Sequence, residues 1–177
     1  MRGPIVIGRP TAEEHAVATA AYVARVPGDD AWPVLVAQVD EVDRLLRGLS
    51  DARACFRYAP GKWSVKEVVG HLTDAERIYA YRALRFARAD ATPLPGFEED
   101  DYVAAAGFDR RSLGDLLDEW RAVRASTLAL FKGLDAEACL RRGVANAHTI
   151  SVRALAWVAA GHASHHLAVL RGRYGLA

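Results

Sequence analysis

Cysteine is scarce in this sequence: Cys55 and Cys139 are the two among 177 residues, and they form no C-x-x-C pair. A disulfide framework is excluded, and a reducing, cytoplasmic setting is the expectation. Net charge is nearly absent as well, with 23 Lys+Arg against 22 Asp+Glu. No long-range field draws nucleic acid or an anionic membrane, so neither is expected as a partner. Long hydrophobic runs are also missing. The longest nonpolar stretch, Ala154 to Gly161, falls far short of the roughly 20 residues that cross a bilayer. The opening MRGPIVIGRP has no apolar stretch of leader-peptide length. Strand-like alternation of useful length is not found anywhere.

What the sequence does hold is a large apolar fraction, 51%, beside 25% charged residues. That composition can build a packed core, and the length suits one domain, 1–177, with its core about 10–174. Four long segments carry helical periodicity. The first follows Asp29 and Asp30 and spaces Leu35, Val39, Val42, Leu46 and Leu49 by fours and threes. Pro33 falls in its first turn, where it is tolerated. The second opens with Ser64-Val65-Lys66-Glu67, a capping box, with Trp63 and Val68 in the staple positions. The third follows Ser112 and puts Leu113, Leu116, Leu117, Trp120, Val123, Thr127 and Phe131 on one face. The fourth is capped by Ser151 and runs to about Tyr174. A shorter helix is expected from Ala12 to about Ala24, opened by Thr11 with Glu14 three residues on. Four apolar stripes can bury themselves only against one another, so the expected fold is all-α, a four-helix bundle with a short extra N-terminal helix. The connections before and after the third helix, each about 20 residues, are of the length that carries function or small helices. In the first of them, Glu98 to Asp101 reads as a solvated acidic turn.

Histidines carry the chemistry. On the last helix Val152, Leu155, Ala159, His162, His166 and Val169 share the core stripe, so two imidazoles lie one turn apart on a buried face. Two rings at that spacing can converge on one ion. On the second helix His71 lies on or beside the apolar face. Singly, each reads as a hydrogen-bonded core histidine; three aimed into one core are satisfied together by a shared divalent metal. His165 is rotated off the stripe toward a helix edge or solvent, and His15 and His148 have no such context. Three neutral ligands leave a coordination position open for water or a thiol. The helix reads His162-Ala-Ser-His165-His166, without the Glu that serves as base in H-E-x-x-H proteases. Asp74 and Glu76 are then the candidate base or ligand-orienting carboxylates, set against ordinary salt bridges to Arg77, Arg82 or Arg153.

The stretch WSVKEVVGHLTDAER from Trp63 to Arg77, followed far downstream by GHASHH from Gly161 to His166, resembles the DinB/YfiT-like superfamily of metalloenzymes. Arg82-Ala-Leu, Leu94-Pro-Gly and Ile150-Ser-Val-Arg-Ala-Leu are similar to one branch of it, and the likeness runs from about Pro10 to Tyr174. The resemblance implies a variant up-and-down bundle with a divalent ion on His71, His162 and His166, with zinc or nickel the leading candidates. It also implies a transferase or hydrolase acting on a small molecule, with a low-molecular-weight thiol as cosubstrate for S-transfer, and homodimers such as related proteins form. A non-catalytic metal- or small-ligand-binding bundle is the alternative.

Overall fold

Three of the four long helices begin at a serine whose side chain takes up a free N–H group of the first turn. The computed structural model describes residues 5–177; residues 1–4, where the stretch read for a leader begins, lie outside the described residues. Ser64 caps the helix that starts at Val65, its Oγ accepting from Glu67 N at 3.0 Å while Glu67 Oε2 accepts from Ser64 N at 2.7 Å. The Oγ of Ser112 accepts from Asp115 N at 3.0 Å, and that of Ser151 from Ala154 N at 3.1 Å. These caps satisfy donors that a buried helix end would otherwise strand.

The helices in chain order are α1 (Val17–Arg25), α2 (Trp32–Leu46), α3 (Asp51–Ala54), α4 (Val65–Ala87), α5 (Glu99–Ala106), α6 (Leu113–Lys132), α7 (Ala136–Leu140) and α8 (Val152–Tyr174). The four long ones, α2, α4, α6 and α8, form the bundle, as the apolar stripes require. Helix α8 is its centre, buried over most of its first three turns from Val152 to Ala163. The core divides around the middle of the bundle. One half gathers Leu35, Phe86, Leu155 and Trp157, and the other Val42, Leu72, Trp120 and Leu167. The packing reaches back beyond Pro10: Ile7 is buried, and its carbonyl accepts from Trp157 Nε1 at 2.9 Å.

Three local expectations need correction. The N-terminal helix is broken: Ala12–Glu14 is one 3-10 turn and α1 starts at Val17. The capping box at Thr11 is present, but the buried Glu14 carboxylate is held by Arg153 from α8, and that tie turns the chain at His15. The second correction is a hairpin, β1 (Arg142–Ala145) against β2 (His148–Ser151), antiparallel with Ala145 opposite His148. Asn146 and Ala147 form its two-residue turn with φ of 50° and 62°. Positive φ at both positions matches the twist of the strands, but four-residue strands and an Asn-Ala turn leave little periodic signal. Third, the acidic run opens α5 rather than forming a turn, with Glu99, Asp100 and Asp101 in the first turn where the helix dipole favours anions.

Two features bring the surroundings onto the bundle centre. The loop after α4 is pinned to the hairpin, Leu94 N donating to Val144 O at 2.9 Å and Asn146 N to Leu94 O at 3.0 Å. Helix α1 lies directly on α8 at Gly161, where a Cβ would come within 1.9 Å of Tyr22 O. Only glycine allows that approach, and it sets Tyr22 against the histidine-bearing turn.

Candidate functional site

Helix α4 contributes His71 and α8 contributes His162 and His166, one turn apart. The three rings meet in the bundle interior. His162 Nε2 lies 2.9 Å from His71 Nε2 and 3.2 Å from His166 Nε2, and the three ligand atoms all fall within 4.8 Å of one another. Tetrahedral coordination at ~2.0–2.1 Å per bond spaces neighbouring nitrogens by about 3.3 Å, so the donor set fits one divalent ion. Among the described residues no thiol or carboxylate joins the cluster. His71 and His162 are buried and His166 is half-buried.

Burial holds these rings neutral. The imidazolium of His71 is pushed down to about 4 and that of His166 to about 3, in each case chiefly by burial; the neighbouring rings add to it. His162 lies well below the ordinary histidine value for the same reason. Neutral imidazole is the form that ligates. In metal-stripped protein, the unfolded chain takes up protons below about pH 6.5 that the folded site refuses until about pH 4. The unfolded state therefore binds more protons across that window, and stability falls as pH falls. The melting temperature of metal-stripped protein should drop between pH 6.5 and pH 4, and His71→Ala should flatten that slope; an equal slope in both would contradict the assignment.

Around the triad stand aromatic rings. Trp63 sits 4.7 Å from the His71 ring and 6.4 Å from that of His166, while Tyr22 and Tyr79 face His162 edge-on at 5.4 and 5.7 Å. Burial pushes both phenols above the usual tyrosine range, and the charge of Glu99 adds to it. His165 lies off the stripe as its position on the helix requires, its ring 5.8 Å from that of Tyr22. His15 lies 3.1 Å from the neighbouring Ala16 carbonyl, and His148 is exposed at the hairpin.

The two carboxylates flagged in the sequence face elsewhere. Asp74 is half-buried, its carboxyl raised by burial and steadied by Arg77 at 3.5 Å. Both oxygens of Glu76 are taken by Arg124 from α6, at 2.7 Å and 3.2 Å, in a fully buried pair. Arg124 also donates to Leu35 O and Gln38 Oε1, and Gln38 Nε2 donates to Ala160 O and Ser164 Oγ. Glu76 thus joins α2, α4, α6 and α8 beneath the triad, and its partner is Arg124 rather than Arg77, Arg82 or Arg153. The carboxylate the sequence reading missed is Glu99. Two cavities flank the triad, one of about 340 Å³ lined by Trp63, His165, His166 and Asp100, the other of about 310 Å³ lined by Tyr22, Tyr79 and Arg82, and Glu99 lines both. Partial burial, with the charges of Asp100 and Glu98, raises its carboxyl. Nothing in the acidic run distinguishes Glu99; only the docking of the loop after α4 puts it there.

Fold and site together define a helical bundle with a three-histidine cluster at its centre, His166 lining one side cavity and Tyr22 and Tyr79 standing between His162 and another. Residues 35–170 match the DinB superfamily, and the chain belongs to that family. No curated protein matches it. Among solved structures it is similar to YfiT from Bacillus subtilis, described as a probable metal-dependent hydrolase with an unusual four-helix bundle topology. The identity is 16% over 95% of this chain and 94% of that one, with a TM-score of 0.72. It is also similar to a mycothiol-dependent maleylpyruvate isomerase, at 11% identity and a TM-score of 0.65; 77% of this chain aligns with 57% of that one. Among the described residues no helix is long and apolar enough to cross a membrane.

Proposed function

We propose that the protein is a divalent-metal-dependent enzyme acting on a small molecule, with His71, His162 and His166 as the ligands. The observation that carries this reading is the convergence of three Nε2 atoms from two helices. Zinc and nickel suit the all-imidazole set. Such an ion supplies an acidic fourth position that favours the deprotonated form of a water or thiol bound there. Thiol-dependent S-transfer is the preferred chemistry over hydrolysis; the mycothiol dependence of one structural neighbour supports it.

The chain's own residues supply the rest. Glu99, whose raised carboxyl borders both cavities, takes the proton released by the nucleophile and returns it to the product. Trp63 and Tyr22 shield the triad from bulk water on either side. The Glu76–Arg124 pair holds α4 against α6 so that His71 keeps its aim. A reading as a non-catalytic binding bundle would call for a fourth protein ligand, and the cluster offers three.

The test is elemental analysis of freshly purified protein, followed by S-transfer assays with a low-molecular-weight thiol and an electrophilic acceptor, before and after chelation. Activity that disappears on chelation and returns with zinc or nickel is expected. Stoichiometric metal without turnover of any thiol would favour the non-catalytic reading.

A further inference from the structure

Among the described residues two arginines are buried, Arg82 and Arg124, and Arg153 is half-buried. Arg124 is paired with Glu76, and Arg153 with Glu14. Arg82, on α4 and 8% exposed, meets no carboxylate among the described residues. Among the described residues its one hydrogen bond runs from Nη2 to Pro95 O at 2.8 Å, and its other N–H donors keep access to solvent. With no carboxylate beside it, those donors are free to take an anion. Arg82 lines the 310 Å³ cavity together with Tyr22 and Tyr79, the two rings that lie edge-on to His162.

We propose that this cavity is a subsite for the carboxylate of a small organic acid, anchored by the Arg82 guanidinium with its body against the aromatic wall. The role of that acid as substrate rests on the metal-centre reading above; the anion site itself does not. Planar, forked donors match a carboxylate two-to-two. The remaining wall is mixed: Phe97, whose ring centre is 6.0 Å from the guanidinium carbon, Leu155 and Val158 give it an apolar part, and Glu99, Asn146 and His148 a polar one. At about 30 Å³ per water-sized volume, the space suits a ligand of roughly ten heavy atoms. One guanidinium neutralises one negative charge. A phosphate dianion would keep a second charge facing Glu99 on the same wall, so a monocarboxylate is the favoured class.

The two ligands that test this are benzoate and its neutral isostere benzamide, titrated by calorimetry into the protein as purified and after metal stripping. Benzoate is expected to bind both forms, and benzamide roughly ten- to hundredfold more weakly, as befits charged hydrogen bonds. In Arg82→Gln that gap should close, with metal content unchanged. Arg82→Lys, which keeps the charge but not the fork, should fall between, and it serves if Arg82→Gln fails to fold. No benzoate binding at millimolar concentration, equal affinity for the two ligands, or a gap that survives Arg82→Gln would overturn the proposal. Benzoate binding that needs metal and ignores Arg82 would place the carboxylate on the ion and overturn it too. Tighter binding of inorganic phosphate than of benzoate would overturn the monocarboxylate class. Metal content, measured on the same samples, reports on the histidine reading separately: Arg82-dependent benzoate binding in protein that holds no metal would sink that reading and leave this one standing.

Discussion

His162→Ala protein is expected to purify with almost no divalent metal, and His166→Ala with little, while His165→Ala retains the wild-type amount. His162 has the largest effect because it is the central donor, 2.9 Å from one partner nitrogen and 3.2 Å from the other. Loss of an outer hydrogen-bond partner typically costs a metal site roughly 10–100-fold in affinity, and loss of a ligand costs more. His165 is the control because it sits on the same turn and in the same aromatic surroundings, yet outside the cluster. Inductively coupled plasma analysis of the three variants decides it: equal retention in all three would remove the ligand assignment. Bound metal should also raise the melting temperature of the wild type, since only the folded chain brings the three rings together.

The second large effect concerns the pair beneath the cluster. Glu76→Ala leaves Arg124, whose side chain is 0% exposed, as an uncompensated charge inside the bundle. Breaking such a pair from one side costs about 3–5 kcal/mol, and in a chain of this size that lowers the melting temperature by roughly 10 °C or more. Replacing both, Glu76→Leu with Arg124→Met, should recover much of the loss, because two apolar groups in place of a buried pair come out near neutral. Thermal unfolding of the single and double variants measures the difference. A Glu76 variant that melts like wild type but has lost turnover would restore the general-base role that its partner argues against.

What could be read from the sequence was what is local. Ser64 with Glu67, Ser112 and Ser151 state the starts of three long helices within four residues each, and the structure places the caps there. The convergence of His71, His162 and His166 was legible for a related reason. Each lies on a stripe whose burial is set by its own helix, and the bundle has one interior for those stripes to share. What joins residues far apart was not legible. The partner of Glu76 lies 48 residues away and the contact of Gly161 is a backbone carbonyl of α1, and neither leaves a periodic trace. Glu99 and Arg82 reach the same cavity because a loop is stitched to a hairpin by two backbone hydrogen bonds, and such bonds are blind to side-chain identity.

The seat of α1 on Gly161 bears on which part of the chamber can vary. The family match begins at residue 35, so α1, Val17–Arg25, stands outside it, yet its Tyr22 walls the chamber beside His162. The three ring nitrogens are placed by α4 and α8, and the outer face of the chamber by α1, which packs along α8 and comes closest to it at Gly161. Substitutions on that helix are expected to reshape the chamber while leaving the three nitrogens where they are.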